Sequence, residues 1–247
     1  MANLRNYQTR QATYGARADA GIDEGLRSYM LRVYNLMAMG LGITGLVAWG
    51  AFQMAVADGT LTPLGQLLYQ SAFRWVVILA PLAVVMFLSF RIHTMSVAAA
   101  QATFWVYSGL VGLSLSTIFL IYTGQSIVQT FFVTAASFGA LSLFGYTTKR
   151  DLSGMGSFLF MGVVGLLIAM VVNIFLQSSA LQFAISAIGV LVFAGLTAYD
   201  TQQIKEMYYE GDDTMVAGRK AIMGALRLYL DFINMFTFLL SFMGNRE

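Results

Sequence analysis

Long apolar stretches separated by short polar connections make up most of this chain. Seven of them reach or approach the length of about 20 residues that crosses a bilayer, and each is apolar on all faces, as a packed membrane bundle requires. The pattern therefore predicts an all-α polytopic membrane protein, a seven-helix bundle within residues 29–247. The predicted spans are Met30–Val56, Trp75–Phe90, Ser96–Tyr122, Ile127–Tyr146, Met155–Leu176, Leu181–Gln202 and Ile222–Met243.

Composition supports this fold class and removes several kinds of chemistry. Hydrophobic residues make up 58% of the chain and charged residues 11%, whereas soluble domains carry about 25% charged residues. There is no cysteine, so disulfides, thiol catalysis and iron–sulfur clusters are excluded. One histidine, His93, leaves little basis for a haem or zinc site.

The distribution of lysine and arginine predicts the orientation. With the N-terminus inside, the inner segments hold eleven basic residues and the outer segments only Arg74 and Arg246, in agreement with the positive-inside rule. Residues 1–28 then form a polar cytoplasmic N-terminal tail, which either binds anionic lipid or helps to set the orientation. The inner basic residues are Arg5, Arg10, Arg17, Arg27, Arg32, Arg91, Lys149, Arg150, Lys205, Arg219 and Lys220.

Two aspartates interrupt the last two apolar segments. Asp200 lies near the end of the sixth segment and Asp231 in the first half of the seventh. An ionised side chain in the bilayer centre costs about 2.5–3.5 kcal/mol on insertion scales, so such residues usually pair, face water or handle ions. Because consecutive spans run antiparallel, we expect both carboxyl groups at one depth, in one shared site.

Paired carboxyl groups suggest proton sensing and weak binding of a hard cation. Two carboxylates in a low dielectric titrate as a unit, and oxygen ligands suit Ca²⁺, which prefers 6–8 of them. Two carboxylates would therefore bind Ca²⁺ weakly and exchange it quickly. The alternative is local neutralisation, by an ion pair of Arg227 with Asp231 and by water or Lys205 at Asp200.

Other polar residues are weaker candidates. Arg91, at the inner end of the second segment, either extends to lipid headgroups or closes a gate onto the aspartates. Arg227, Tyr199 and Asn234 are candidate modulators of the pair. No lysine lies within a span, which excludes a retinal protein. Leu228-Tyr229-Leu230 stands before Asp231 where presenilin-type proteases have Gly-x-Gly, so we expect no enzyme.

The motifs around the aspartates resemble the Bax inhibitor-1 (transmembrane Bax inhibitor motif) family, in the bacterial branch often labelled YccA-like. They are Thr197-Ala198-Tyr199-Asp200-Thr201-Gln202 and Ala225-Leu226-Arg227-Leu228-Tyr229-Leu230-Asp231-Phe232-Ile233-Asn234. The stretch from Phe90-Arg91-Ile92 to Phe104-Trp105 and the loop Gly145–Leu152 look like the same branch. The resemblance covers roughly residues 30–244.

This resemblance implies a fold and a function. The fold is seven helices with the last one central and wrapped by the other six, and the activity is a pH-sensitive calcium leak. The family's paired aspartates, which form the proton sensor and calcium contact, correspond to Asp200 and Asp231. Its gating arginine on the second helix corresponds to Arg91. Arg227 looks unusual for the family and is expected to perturb the pair.

We therefore expect a pH-sensitive calcium (cation) leak channel of a bacterial inner membrane, with a cytoplasmic N-terminus and the C-terminus on the outer side. Its expected partners are the lipid bilayer, Ca²⁺ and protons, with no nucleic acid and no cofactor. The alternative is a non-conducting scaffold that regulates a membrane protease or stress response through a membrane-protein partner. A proton-coupled transporter is a third possibility.

Overall fold

The computed structural model describes residues 2–245, and the side chains of residues 24–245. It contains seven long helices, each with a stretch long and apolar enough to cross a membrane, and in α1 that stretch is Glu24–Ala55. The predicted seven-span fold is confirmed, whereas the side chains of most of the predicted tail, residues 1–28, lie outside the described part. The helices are α1 Ala2–Ala55, α2 Phe73–Arg91, α3 Val97–Leu115, α4 Gly124–Thr147, α5 Ser153–Leu176, α6 Ser179–Glu206 and α7 Thr214–Met243.

Polar capping residues set where several helices begin. The side chains of Ser96, Thr123, Ser178 and Asp213 accept hydrogen bonds from the backbone N–H groups of the first turn, which helix N-termini otherwise leave unpaired. The cap at Asp213 starts α7 about two turns before the predicted Ile222. Asp231 consequently lies just past the middle of α7, although it falls in the first half of the predicted span Ile222–Met243.

The connection between α1 and α2 is a folded segment. Strand β1, Val56–Ala57, pairs antiparallel with strand β2, Thr60–Leu61. The turn residues Asp58 and Gly59 have φ values of 51° and 73°, which the Asp-Gly pair of a tight hairpin adopts readily. A short helical segment, Pro63–Gly65, and a π-turn, Gln66–Gln70, complete the connection.

Helix α7 is the centre of the bundle. Of its most apolar window 61% is buried, against at most 33% for any other span. It packs against α1, α3, α4 and α6, while α2 packs mainly on α3 and α5 mainly on α6. The prediction of a central last helix is confirmed, but four of the other helices pack directly on it, and not the expected six.

The contacts between α6 and α7 run in reverse order along the two helices. The hydroxyl of Ser186 donates to Ser241 at 3.0 Å, Gly189 lies against the ring of Phe238, and Gly224 lies against Ile204. This antiparallel pairing places the two aspartates at one level. They lie toward the end of the bundle that carries Arg91, Lys149, Arg150, Lys205, Arg219 and Lys220, which we call the basic end.

Candidate functional site

Asp200 of α6 and Asp231 of α7 meet side by side. Their carboxyl groups lie close enough to interact directly, and a hydrogen bond between them requires a proton on one of them, because an ionised carboxylate only accepts. Asp231 is 4% exposed, and its Oδ2 has no hydrogen-bond partner among the described residues. Asp200 is half-buried. The structure therefore brings together the two carboxyl groups that the sequence singled out.

Neither aspartate is neutralised by the basic neighbour considered above. Arg227 is close enough to act electrostatically on both carboxyl groups, but its side chain is exposed. Lys205 donates instead to the carbonyl oxygen of Tyr146 at 2.9 Å. Within the described part of the chain the one ion pair joins Lys220 to Asp212. The two carboxyl groups therefore lie next to each other, and no described basic side chain forms an ion pair with either.

The other predicted residues lie apart from this contact or bond elsewhere. Arg91 is exposed at the end of α2 and makes no ion pair with either aspartate. The ring of Tyr199 packs against Gly156 of α5. The Asn234 amide donates to the Leu230 carbonyl oxygen, one turn back, at 2.8 Å. Their roles in gating or modulation stay predictions.

A hydroxyl cluster that sequence reasoning missed fixes α7 on its far side. Tyr229 is fully buried, and its hydroxyl lies 2.6 Å from Oγ1 of Thr44 on α1. Thr44 in turn donates to the carbonyl oxygen of Ser108 on α3 at 2.9 Å. Two residues of helix turn the chain by about 200°. Tyr229 therefore locks α7 to α1 and α3 on the face opposite Asp231.

A second hydroxyl chain reaches α6 from α1. The hydroxyl groups of Tyr34 and Ser142 lie 2.6 Å apart, and Ser142 lies 2.9 Å from Oγ1 of Thr201. Thr201 follows Asp200 directly. On the same side, Gly145 of α4 lies against the backbone of Ala198. Helix α6 is thus held closely to α4 beside the aspartate that it carries.

Gln202 ties the loop between α4 and α5 to the same part of α6. Its Oε1 accepts from the backbone N–H of Leu152 and its Nε2 donates to the carbonyl oxygen of Arg150, both at 2.8 Å. Within that loop, the backbone N–H of Ser153 lowers the pKa of Asp151. The signal that could have found Gln202 is a long amide side chain at the end of an apolar span, two residues after its aspartate.

The described residues contain no group of three or more His, Cys, Asp or Glu side chains arranged to hold a metal ion. The Asp200–Asp231 pair offers at most four carboxylate oxygens, fewer than the six to eight that Ca²⁺ prefers. A cation at this place would keep part of its water shell. The arrangement suits a cation in transit better than a resident one.

The chain is similar to known proteins over most of its length. The family described as "Inhibitor of apoptosis-promoting Bax1" matches residues 26–247. A Rickettsia prowazekii protein is 49% identical over 225 residues, covering 91% of this chain and 92% of the relative. Inner membrane protein YbhL of Escherichia coli K12 is 48% identical over 226 residues, covering 90% and 94%. A Caulobacter vibrioides protein is 48% identical over 235 residues, covering 94% of each.

Proposed function

This chain is a membrane protein of the Bax inhibitor-1 family, and from that premise we propose that it is a pH-sensitive calcium leak channel. Protonation of the Asp200–Asp231 pair controls the leak. The single observation that carries the proposal is the close approach of two carboxyl groups on adjacent spans. A hydrogen bond between them can form when one is protonated and is lost when both are ionised.

Removing the proton replaces an attraction with a repulsion. Two negative charges in contact interact strongly where the dielectric is low, so the ionised pair pushes α6 and α7 apart. Tyr229 holds α7 to α1 and α3, and Thr201 holds α6 to α4, so the repulsion acts on the contact between two anchored helices. Packed helices of this kind have discrete arrangements, which lets a local charge change act as a switch.

Two cavities flank α7 at different levels along the helix. A cavity of about 260 Å³ at the basic end is lined by His93, Arg219 and Arg227. Toward the other end, an apolar cavity of about 280 Å³ is lined by Phe232 and Phe236 among others. Neither Asp200 nor Asp231 lines either cavity, so conduction past the pair requires α6 and α7 to separate there.

The carboxylates would favour cations, and their small number favours rapid exchange. This makes Ca²⁺ the permeating or weakly bound ion, with no cofactor and no catalysed reaction. Placement in a bacterial inner membrane with the N-terminus inside is part of the proposal. It rests on the predicted surplus of inner basic residues and on the name of the Escherichia coli relative, an inner membrane protein.

The test is Ca²⁺ release from proteoliposomes loaded with a fluorescent indicator, measured between about pH 5 and pH 8. We compare the parent with Asp200→Asn, Asp231→Asn and the control Asp58→Asn, an exposed acid in the hairpin turn. The parent and the control should leak with the same pH dependence. Each Asn variant should lose that dependence, because an amide cannot release the proton.

Equal leaks with one pH profile in all four proteins would contradict the gating role. Folded protein that releases no Ca²⁺ at any pH would instead favour the alternative, a non-conducting scaffold for a membrane protease or stress factor. Folding in the same liposomes is checked by circular dichroism, so an inactive variant is distinguished from a misfolded one.

A further inference from the structure

A crevice between α1 and α4 opens on the outer surface of the bundle near the basic end. It encloses about 460 Å³, within the usual range of ligand pockets, about 300–1,000 Å³. Met30 and Phe138 form its buried floor, while Leu31 and Leu143, 51% and 63% exposed, stand at its mouth. All four residues lie within membrane spans, so the mouth faces lipid.

Among the described residues that line the crevice, the one charged side chain is basic. Arg27 lines the crevice with its side chain exposed. Tyr146, at the α4 side, holds the ammonium group of Lys205 over its ring at 5.2 Å. The acidic Glu24 lines a neighbouring groove together with Arg27, but among residues 24–245 no acidic side chain lines the crevice itself. The crevice therefore pairs an apolar trough with a positive rim.

We propose that this crevice binds one anionic phospholipid from the leaflet at the basic end, with an acyl chain between Leu31 and Leu143 and its phosphate at Arg27. Charge complementarity selects an anionic headgroup over a zwitterionic one, since a basic side chain near the surface attracts anionic lipid. The apolar floor excludes a free phosphate as the occupant. Arg27 lies near the start of the span Glu24–Ala55, where long arginine side chains reach the headgroup level.

The site adjoins α6 without including the aspartates. Tyr34 and Ser142 line the deep side of the crevice, and Ser142 lies 2.9 Å from Thr201. A bound lipid would therefore brace α1 against α4, two helices joined here by the Tyr34–Ser142 hydrogen bond. Lipid binding is measured without ion flux, so this inference can fail while the proposed leak stands, and the reverse.

The experiment is native mass spectrometry of the full-length protein in detergent with equal amounts of phosphatidylglycerol and phosphatidylcholine. We expect the parent to retain one phosphatidylglycerol in preference to phosphatidylcholine. Arg27→Gln should lower that retention about fivefold. Arg32→Gln is the matched control, because it removes the same charge from the same helix but lines only the neighbouring groove.

A second pair of variants blocks the trough without changing charge. Gly139 lines the crevice, and a Cβ there meets nothing within 4 Å, so Gly139→Leu should fold and should displace either lipid. Gly165→Leu on α5 has the same open surroundings and should bind like the parent. Equal retention of the two lipids by the parent would overturn the proposal. The proposal would also be overturned if Arg27→Gln retained as much lipid as Arg32→Gln and Gly139→Leu as much as Gly165→Leu.

Discussion

The carboxyl group of Asp231 on the central helix lies against that of Asp200 on α6, and one oxygen of Asp231 is buried without a hydrogen-bond partner among the described residues. Such a contact needs a proton to hold it. It also leaves α7 with an asymmetric environment. One face of the helix is fixed by Tyr229, and the other depends on the protonation of two acids.

The Tyr229 hydroxyl should stabilise the bundle independently of pH. Tyr229→Phe removes its bond to Thr44, and a buried interhelical hydrogen bond of this kind contributes about 0.5–1.5 kcal/mol. We expect that loss in the free energy of unfolding, measured by SDS titration in mixed micelles. Tyr209→Phe, at an exposed tyrosine, is the control and should match the parent. An equal effect of both variants would contradict the locking role.

The close approach of α4 to α6 should depend on Gly145. A Cβ at this position would collide with the backbone of Ala198, and overpacking of this kind typically costs about 1–3 kcal/mol. Gly145→Ala should therefore lower the thermal midpoint. On the same helix, a Cβ at Gly139 meets nothing within 4 Å. Gly139→Ala should be neutral or slightly stabilising. If both variants lowered the thermal midpoint by a similar amount, the effect would not be specific to the contact of Gly145 with Ala198.

The loop between α4 and α5 should loosen when Gln202 is shortened. Gln202→Ala removes both hydrogen bonds to the loop backbone, so local opening becomes more frequent. Trypsin cleaves after Lys149 and Arg150, and its rate should rise about fivefold. Gln203→Ala, whose amide makes only bonds of 3.2 and 3.4 Å, should be cut like the parent. An unchanged rate for Gln202→Ala would contradict the anchoring role.

Hydropathy and spacing were enough to predict the seven spans, because a bilayer imposes both length and apolar composition on a helix. The same reasoning identified Asp200 and Asp231, since an acid within a span is rare enough to be informative. The start of α7 was misplaced because Thr214–Ala221 are amphipathic. Only the cap at Asp213 shows that the helix begins there.

The supporting network could not be predicted. Thr44, Ser108, Ser142 and Thr201 are small polar residues within apolar helices, and such residues can bond to their own backbone as easily as to a neighbour. Which of them meet Tyr229 or Tyr34 depends on helix rotation and register. Because every helix is apolar on all faces, a single sequence contains little information on helix rotation or register.

Calcium binding at the pair should be weak. With two carboxylates in place of six to eight oxygens, a dissociation constant in the millimolar range is expected. Ca²⁺ at about 0.1 mM should then leave the thermal midpoint unchanged, because stabilisation requires a ligand concentration above the dissociation constant. Scanning calorimetry with Ca²⁺ and with Mg²⁺ checks this. A rise at micromolar Ca²⁺ that Asp231→Asn abolishes would instead indicate a resident ion.

The most direct measurement is the infrared band of protonated carboxyl groups, followed against pH in reconstituted protein alongside the Ca²⁺ leak. We predict a band that Asp200→Asn and Asp231→Asn each alter, and whose loss with rising pH follows the change in leak. A parent protein with no protonated carboxyl between about pH 5 and pH 8, or with a band that titrates while the leak stays constant, would contradict the shared-proton switch.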